Sequence, residues 1–324
     1  MFKNLQELIT SMPDEKSCKK FLEGQRWKNG ITCPYCGHGK CYIIENNERY
    51  KCASKDCYKR FTVLVGTIFE ASKVPLRKWM IAFYLNTAHK KGISSCQLAR
   101  DISVTQKTAW FMLHRIREGV RAKMPIRLKD NVQMDEAFFG GSERNMHKDK
   151  KSKTNAQKNQ RKTPVFGIIE EGGKVVVQTT KWMNKRHAEN LLLTHVDKDA
   201  TLVTDAFQMY KIIGARHFKK HVAVNHLEGQ FKVEGYHTNG IENFWSQLKR
   251  SVYGIYHQVS SKHLQRYCDE MAYRFNSRKI KDADRFTIAL QNCNGRLRYE
   301  HLINNSLTLG RYGKEIKETG NQED

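Results

Sequence analysis

The stretch Val132-Gln-Met-Asp-Glu-Ala-Phe-Phe-Gly-Gly141 decides the fold predicted for the second half of the chain. Apolar residues alternate around two adjacent carboxylates, Asp135 and Glu136, and a pair of glycines ends the run. This pattern predicts a short strand that holds an acidic side chain on a buried sheet. Because side chains alternate along a strand, we expect Glu136 to face away from Asp135 unless the strand bulges.

Two later elements supply further oxygen ligands. Asp205 ends a second predicted strand over residues 200–205, and a predicted helix that starts near Asn239 brings Glu242. If these side chains converge with Asp135, they can bind two Mg²⁺ or Mn²⁺ ions, since both metals prefer oxygen ligands. Asn239 and Glu242 are three residues apart on one helix face, so either is a candidate for the third ligand. Glu242 adds a charge that Asn239 lacks.

A pair of metal ions at this position supports phosphodiester chemistry. Two ions about 3.5–4 Å apart stabilise the attacking and the leaving oxygen of an in-line displacement together. The catalytic residues predicted in this way are Asp135, Asp205, Asn239 and Glu242.

The charge of the chain fits a polyanionic partner. Its 324 residues contain 57 Lys and Arg against 33 Asp and Glu, which gives a formal net charge of +24. This excess is far beyond what solubility requires and indicates nucleic acid. The sequence has neither a run of about 18 apolar residues nor a signal-peptide pattern, so we expect no membrane partner and a cytoplasmic, nucleoid-associated protein.

Two cysteine pairs predict a zinc site near the N-terminus. Cys33-Pro-Tyr-Cys36 and Cys52-Ala-Ser-Lys-Asp-Cys57 flank an insert of hairpin length that is rich in β-forming residues. This is the pattern of a zinc ribbon, in which four thiolates hold a structural Zn²⁺ and leave no position open for a substrate. Because the second pair is wider than usual, His38 and Cys41 are alternative ligands.

Residues 92–117 have the layout of a helix-turn-helix. A first helix capped by Ser94 or Ser95 is followed by a short turn and a second helix capped by Thr105. The side chains that the second helix is predicted to present to bases or phosphates are Gln106, Lys107 and Thr108. An ordinary helical hairpin is the alternative interpretation.

Other basic residues are predicted to contact DNA. On the ribbon they are Lys55, Lys59 and Arg60, which are interleaved with Tyr50, Tyr58 and Phe61. Lys150 and Lys151 lie in a basic insertion over residues 144–163, and Lys249 and Arg250 lie in the helix after Asn239. For the ribbon and the insertion, a solvated charged surface is the alternative.

The order of the elements predicts a multidomain α+β protein. Three strands, over residues 132–141, 165–171 and 174–180, precede a helix and then strands that alternate with helices, as in the ribonuclease H-like fold. Thr238 is predicted to cap the helix that holds Glu242, and Arg274 to lie on the outer side of a C-terminal helix. We predict an N-terminal helix and zinc ribbon over residues 1–65, a helical region with the helix-turn-helix over 66–128, a ribonuclease H-like α/β catalytic domain over 129–285 and a C-terminal tail over 286–324.

Five motifs in this order resemble those of the zinc-ribbon transposases of bacterial insertion sequences. They are CPYCGH with a second cysteine pair, FTVLVGTIFEASKVPLRKW, MDEAFFGG, VTDAF and HTNGIENFWSQLKR, within about residues 15–280. The resemblance implies a DDE-type triad with Asn in third place, which falls on Asp135, Asp205 and Asn239, with Glu242 following. It also implies binding to terminal inverted repeats, Mg²⁺-dependent cleavage that frees a 3′-hydroxyl, and strand transfer into double-stranded target DNA. We expect a homodimer or higher oligomer on DNA.

Two other functions share parts of this pattern. A ribonuclease H-like DNA nuclease or resolvase uses the same metal chemistry without strand transfer, but the two N-terminal modules favour recognition of specific DNA ends. A domesticated DNA-binding regulator keeps those modules and loses the acids, all of which are present in this chain.

Overall fold

The computed structural model divides into two compact units. It describes residues 2–44, 48–141, 147–148, 151, 162–303, 308–309 and 315–316. The first unit consists of Met1–Arg121 with Arg278–Asn305, and the second of Ala122–Ser277 with Ser306–Asp324.

Helices dominate the first unit, and the second contains the largest sheet. The helices are α1 (Leu5–Ser11), α2 (Glu15–Arg26), α3 (Leu76–Ala88), α4 (Ser95–Asp101), α5 (Gln106–Val120), α6 (Lys185–His195), α7 (Gln208–His217), α8 (Asn239–Ser251), α9 (Ser261–Asn276), α10 (Asp282–Gln291) and α11 (Glu300–Ile303). The strands are β1 (Cys41–Ile44), β2 (Arg49–Cys52), β3 (Arg60–Phe61), β4 (Asn131–Phe139), β5 (Thr163–Glu170), β6 (Val175–Thr179), β7 (Thr201–Asp205), β8 (Lys220–Val224), β9 (Thr308–Leu309) and β10 (Glu315–Ile316).

The core of the first unit forms around α3. Trp79 and Phe83 of this helix are almost completely buried, and Phe286 of α10 packs edge-on against Phe83 with ring centroids 5.9 Å apart. Arg285 Nη1 also donates to the Thr87 carbonyl oxygen at 3.1 Å. The chain therefore returns to the first unit near its C-terminal end, and the predicted boundary between residues 285 and 286 falls inside α10.

The two helices predicted over residues 92–117 are α4 and α5. Ser94, and not Ser95, caps α4 by accepting a hydrogen bond from the Gln97 backbone N–H. Thr105 caps α5 through the Thr108 backbone N–H, as predicted.

The second unit is built on a five-stranded sheet in the order β6-β5-β4-β7-β8. β4 is its central strand. It pairs antiparallel with β5 and parallel with β7, while β6 is antiparallel to β5 and β8 is parallel to β7. The strands predicted from the sequence are all present, and their bounds differ by a few residues.

Alternation along β4 gives the sheet two apolar faces. Ala137 and Phe139 pack with residues of α8 and α9 on one face, whereas Val132 and Met134 pack with residues of α6 and α7 on the other. Helices therefore cover both faces, and the polar side chains of β4 are held between packed layers.

Arg274 corrects one prediction for the C-terminal helix. Its side chain is not on the outer side of α9 but is buried, with Nη2 donating to Glu270 Oε1 at 2.7 Å. The apolar spacing of α9 predicted its packed face correctly, yet a buried arginine paired one turn away has the same sequence pattern as an exposed one. None of the helices in the described part of the chain has the length and apolar character needed to cross a lipid bilayer.

Candidate active site and zinc centre

Asp135 lies in the middle of β4 on the face covered by α8. Its Oδ2 accepts a hydrogen bond from Trp245 Nε1 of α8 at 3.0 Å. Gly167 of β5 is paired directly opposite Asp135, and a Cβ at that position would lie only 2.6 Å from the Trp245 ring. The glycine therefore makes the space in which the indole reaches the carboxylate.

The parallel pairing of β4 and β7 places Asp205 next to Asp135 on the neighbouring strand. Met134 is paired with Thr204, so the next residue of each strand, Asp135 and Asp205, extends from neighbouring positions. Asp205 ends its strand, and its Oδ1 accepts the backbone N–H of Phe207 at 3.1 Å. The parallel register thus explains why two acids 70 positions apart in sequence lie close together.

The first turn of α8 is fixed against β4 by a polar side chain of the strand. Gln133 Oε1 accepts the backbone N–H of Ile241 at 3.0 Å, which satisfies one free donor of the helix N-terminus. A Cβ on Gly240 would lie 2.7 Å from this oxygen, so a larger residue at position 240 would displace the Gln133 side chain. Sequence analysis did not identify Gln133, although a buried amide in an apolar strand is a recognisable signal.

Glu242 belongs to a hydrogen-bonded group at the start of α8. Thr238 Oγ1 donates to Glu242 Oε1 at 2.9 Å, and His226 Nε2 lies 3.0 Å from the same hydroxyl and 3.5 Å from Glu242 Oε1. Thr238 is the N-cap residue of α8, as predicted, but its side chain makes no cap hydrogen bond and its hydroxyl donates to Glu242 instead. Asn239 is exposed in the same turn. His226 and Thr238 were not predicted as site residues.

The pKa of Asp135 responds to its burial and to the charges of the two other acids. Burial raises the pKa of Asp135 to about 6, hydrogen bonds from the Glu136 backbone and Trp245 oppose the rise, and the charges of Asp205 and Glu242 add to it. Among the described residues, the carboxylates do not form a group of three or more whose oxygens all lie within 4.8 Å of one another. Carboxylate oxygens are the donors that Mg²⁺ prefers, so the donor chemistry of these residues fits the predicted metals.

Glu136 faces the opposite side of the sheet, as strand alternation predicted. Its Oε2 accepts a hydrogen bond from the hydroxyl of Tyr210, a buried residue of α7. Burial raises the pKa of Glu136 to about 7 against this hydrogen bond, and the charges of Asp135 and Asp205 raise it further. The carboxyl group is therefore separated from the candidate site by the strand itself.

The raised pKa of Glu136 predicts a measurable dependence of stability on pH. The folded chain binds the Glu136 proton more tightly than the unfolded chain, in which the pKa is 4.5. The stability that this proton contributes is fully present below about pH 4.5 and is lost as pH rises through about 7. We expect Glu136→Gln to raise the unfolding free energy of the metal-free chain at about pH 8 by up to about 3 kcal/mol. At about pH 5 the gain should be much smaller. Urea unfolding at both pH values measures it, and an equal effect at both would contradict the prediction.

The side chains predicted to contact DNA from α5 are partly engaged within the first unit. Gln106 Nε2 donates to Ser95 Oγ at 2.8 Å, and the hydroxyls of Thr108 and Thr105 are 2.8 Å apart. Lys107 Nζ lies over the ring of Tyr299 at 5.8 Å.

The other predicted contacts are on separate surfaces. Lys249 and Arg250 are exposed in the last turn of α8, and Arg250 Nη2 donates to Ser246 Oγ at 2.8 Å. Lys151 is exposed, whereas Lys150 and most of the basic insertion lie outside the described residues. His237, the residue before the N-cap Thr238, has Nε2 4.0 Å from Glu171 Oε1.

The four predicted zinc ligands form a cluster of the right size for one ion. The sulfurs of Cys33, Cys36, Cys52 and Cys57 all lie within 4.8 Å of one another. The separations are 3.8 Å between Cys33 and Cys57 and 3.6 Å between Cys36 and Cys52. Zn–S bonds of about 2.3 Å in a tetrahedron require sulfurs about 3.8 Å apart, so the cysteines fit a structural Zn²⁺.

The alternative ligands are not part of this cluster. Cys41 is paired with Cys52 across β1 and β2, but its Sγ donates to the His38 carbonyl oxygen at 3.8 Å. The extra residues of the second cysteine pair form a turn in which the Cys57 N–H donates to the Ser54 carbonyl oxygen. This local turn accommodates the additional residues, and Cys57 remains in the cluster.

The surface of the ribbon is less aromatic than predicted. Tyr50 and Phe61 are buried in a small core with Trp27, so they are structural residues. Tyr58 is half exposed, and Lys51 Nζ lies 4.9 Å from its ring centre. Lys55, Lys59 and Arg60 are exposed, and Lys59 Nζ lies 4.8 Å from the ring centre of Tyr35. This cationic and aromatic surface remains suitable for DNA.

Comparison with known proteins adds two family matches and one relative. Residues 13–60 match a transposase zinc-ribbon domain, and residues 127–276 match an ISXO2-like transposase domain. The chain is also 27% identical over 256 residues to a Halobacterium salinarum protein described as an uncharacterized protein in transposable element ISH50. This alignment covers 75% of the chain and 84% of the relative. The matched domains contain the four clustered cysteines and the candidate acidic residues.

Proposed function

Because this chain belongs to the zinc-ribbon transposases of insertion sequences, we propose that it binds the terminal inverted repeats of its element and catalyses DNA cleavage and strand transfer. In this proposal a metal-dependent reaction frees a 3′-hydroxyl, which is then joined to target DNA. The observation that supports it best is the placement of the acids, because the parallel register of β4 and β7 sets Asp205 beside Asp135, and α8, which carries Glu242, contacts Asp135 through Trp245 Nε1.

A ribonuclease H-like fold for the second unit is part of the proposal. Three antiparallel strands followed by two parallel ones, in the order β6-β5-β4-β7-β8, agree with that fold. Its central strand and the neighbouring parallel strand then supply the first two acids, Asp135 and Asp205.

Each residue of the site has a distinct role in this mechanism. Bound Mg²⁺ or Mn²⁺ would supply Lewis acidity to the phosphate and lower the pKa of the attacking hydroxyl group. Asp135 and Asp205 would hold the ions, and Trp245 Nε1 orients Asp135 by its hydrogen bond. Thr238 and His226 orient the Glu242 carboxylate in the same way.

The first unit would recognise the DNA ends. The zinc ribbon presents Lys55, Lys59 and Arg60, and α4 with α5 would act as a helix-turn-helix. We further propose that the protein acts on chromosomal DNA as a homodimer or higher oligomer.

The function can be tested with the DNA that flanks the gene. The purified chain is incubated with labelled end duplexes, a second target DNA and Mn²⁺ or Mg²⁺. A transposase shifts the end duplex, cuts it and joins it to the target. Cutting without joining would instead identify a nuclease, and a shifted band without cutting would identify a DNA-binding regulator.

The third metal ligand can be assigned by two substitutions. We propose Glu242, because its charge acts on Asp135 and two neighbours orient its carboxylate, whereas Asn239 carries no charge. Glu242→Gln is expected to raise the Mg²⁺ concentration for half-maximal cleavage by about tenfold or more, and Asn239→Ala by less. Glu228→Gln, which changes a nearby exposed acid, is the control. A larger effect of Asn239→Ala would assign the position to the amide, as the family triad implies.

A further inference from the structure

A pocket beside the N-terminal end of α5 is not used by the proposed function. It has a cavity volume of about 380 Å³, at the small end of the range of about 300–1,000 Å³ typical of ligand sites. Three aromatic residues of the first unit line it, namely Trp79, Phe111 and Tyr299. Phe111 and Tyr299 meet edge to face with ring centroids 5.6 Å apart.

Cationic side chains complete the lining. Lys73, Lys107 and Arg115 all border the pocket, and none of its described lining residues has a carboxylate. The nearby Glu70 carboxylate is engaged elsewhere, because it accepts from the Gly66 backbone N–H and pairs with Arg296. The pocket therefore combines apolar ring surfaces with three cationic side chains, and the charge of Glu70 acts on one of them, Arg115.

Arg115 is the most unusual of these residues. Its side chain is almost completely buried, and its guanidinium lies 5.5 Å from the ring centres of both Trp79 and Phe111. Nη2 donates to the Glu70 carbonyl oxygen at 2.5 Å, but Nε is buried without a hydrogen-bond partner among the described residues. Burial lowers the pKa of Arg115 to about 10, so the group stays charged at neutral pH. A buried cation with an unused donor favours an anionic partner.

The wall opposite α5 is held in place by hydrogen bonds. Ser72 Oγ accepts from Trp79 Nε1 at 2.9 Å and from the Val74 backbone N–H at 3.1 Å. Ala71 in the same wall has φ of 54°, a left-handed conformation that is strained for a residue with a Cβ. The pocket is thus preformed, and a strained segment of this kind is typical of functional sites.

We propose that this pocket receives one unpaired base of the DNA bound by the first unit. The rings of Phe111 and Tyr299, which are less buried than Trp79, would stack on the base, and the cationic rim would face its phosphate. Lys107 and Thr108 line the pocket and also belong to the turn of α5 predicted to contact the duplex, so an extruded base of the same DNA can reach it. This inference rests on the proposed function, because that function includes DNA binding by α5.

Three labelled duplexes of equal length, which differ only at one central position, test the proposal with the full-length chain. One is fully paired, one has a central mismatch, and one has abasic sites in place of both mismatched nucleotides. A mismatch lowers the energy needed to extrude a base, while the abasic duplex is flexible but has no base to insert. The chain is expected to bind the mismatched duplex about fivefold or more tightly than either of the others.

Substitutions locate the effect. Tyr299→Ala, at a side chain that is 40% exposed, is expected to reduce the preference for the mismatch to less than about twofold while the chain stays folded. Trp182→Ala, at an exposed aromatic residue of the second unit, is the matched control and should keep the preference. With 5-iodouracil at the mismatch, photocrosslinks should map to Phe111 or Tyr299.

Several results would overturn the proposal. These are equal affinity for the three duplexes, no binding to any of them, an unchanged preference in Tyr299→Ala, crosslinks confined to other residues, and full competition by free dAMP, which would assign the pocket to a soluble nucleotide. The assay contains no divalent metal and measures binding alone. Loss of the preference in a chain that still cleaves and joins DNA would therefore refute the base pocket without touching the proposed function.

Discussion

Asp135→Asn is expected to abolish DNA cleavage while making the folded chain more stable. The amide removes a charge that would hold both metal ions, and the loss of several kcal/mol of transition-state stabilisation corresponds to at least about a thousandfold in rate. The carbonyl oxygen of Asn can still accept the hydrogen bond from Trp245 Nε1, so the packing of α8 is preserved. Binding to the DNA ends should be unaffected.

The gain in stability follows from the pKa of the acid. The folded chain holds Asp135 with a pKa of about 6 against an ordinary value of 3.8, so its ionisation opposes folding above about pH 6 when no metal is bound. This ionisation lowers the unfolding free energy by up to about 3 kcal/mol, and the Asp135→Asn substitution removes that cost. We therefore expect a higher melting temperature in EDTA at about pH 8, and a smaller difference when Mg²⁺ is added.

Two observations would contradict separate parts of this account. Cleavage that survives Asp135→Asn would exclude its role as a ligand, and a lowered melting temperature would show that the carboxylate stabilises the fold. Glu136→Gln is the matched control, because Glu136 is the adjacent acid on the opposite face of β4. That variant should show a similar gain in stability and should retain cleavage.

Cys33→Ser is expected to remove zinc and to unfold the ribbon. Binding of structural Zn²⁺ contributes about 10–16 kcal/mol to the folding of comparable small domains, because their cores are too small to fold alone. The core of this ribbon contains little besides Tyr50, Phe61 and Trp27. We expect the bound zinc, measured by mass spectrometry of the metal, to fall from about one per chain to near zero.

A local signal reports the unfolding. Trp27 and Tyr50 have ring centroids 4.9 Å apart, so loss of the ribbon should expose Trp27 and shift its fluorescence. Affinity for end duplexes should fall at the same time. Cys41→Ser is the control, since Cys41 lies beside the cluster without belonging to it. Equal zinc content in both variants would reject the assignment of Cys33.

Local sequence patterns predicted the parts of the molecule that depend on local structure. Alternation in β4 placed Asp135 and Glu136 on opposite faces, and cysteine spacing identified the cluster, because each pattern is set by the geometry of a few consecutive residues. The caps Ser94 and Thr105 belong to the same class.

The remaining features depend on partners that are distant in sequence. Gln133 meets Ile241 across more than 100 positions, and the Thr238 hydroxyl donates to Glu242 while lying 3.0 Å from His226 Nε2. Tyr50 was predicted to face DNA, but its ring is buried and meets the ring of Trp27 edge to face. Periodicity measures how apolar a face is, but it does not identify what lies opposite.

The return of the chain to the first unit at Arg278 has a consequence during translation. When a ribosome has released residues 1–121, α3 has been made, but Phe286, which closes its core, has not. Residues 122–277 of the second unit must therefore be synthesised before the first unit can finish folding. Synthesis interrupted before α10 would leave the amino-terminal half without its last packing partner, so we expect incomplete polypeptides to compete poorly for the DNA sites of the finished protein.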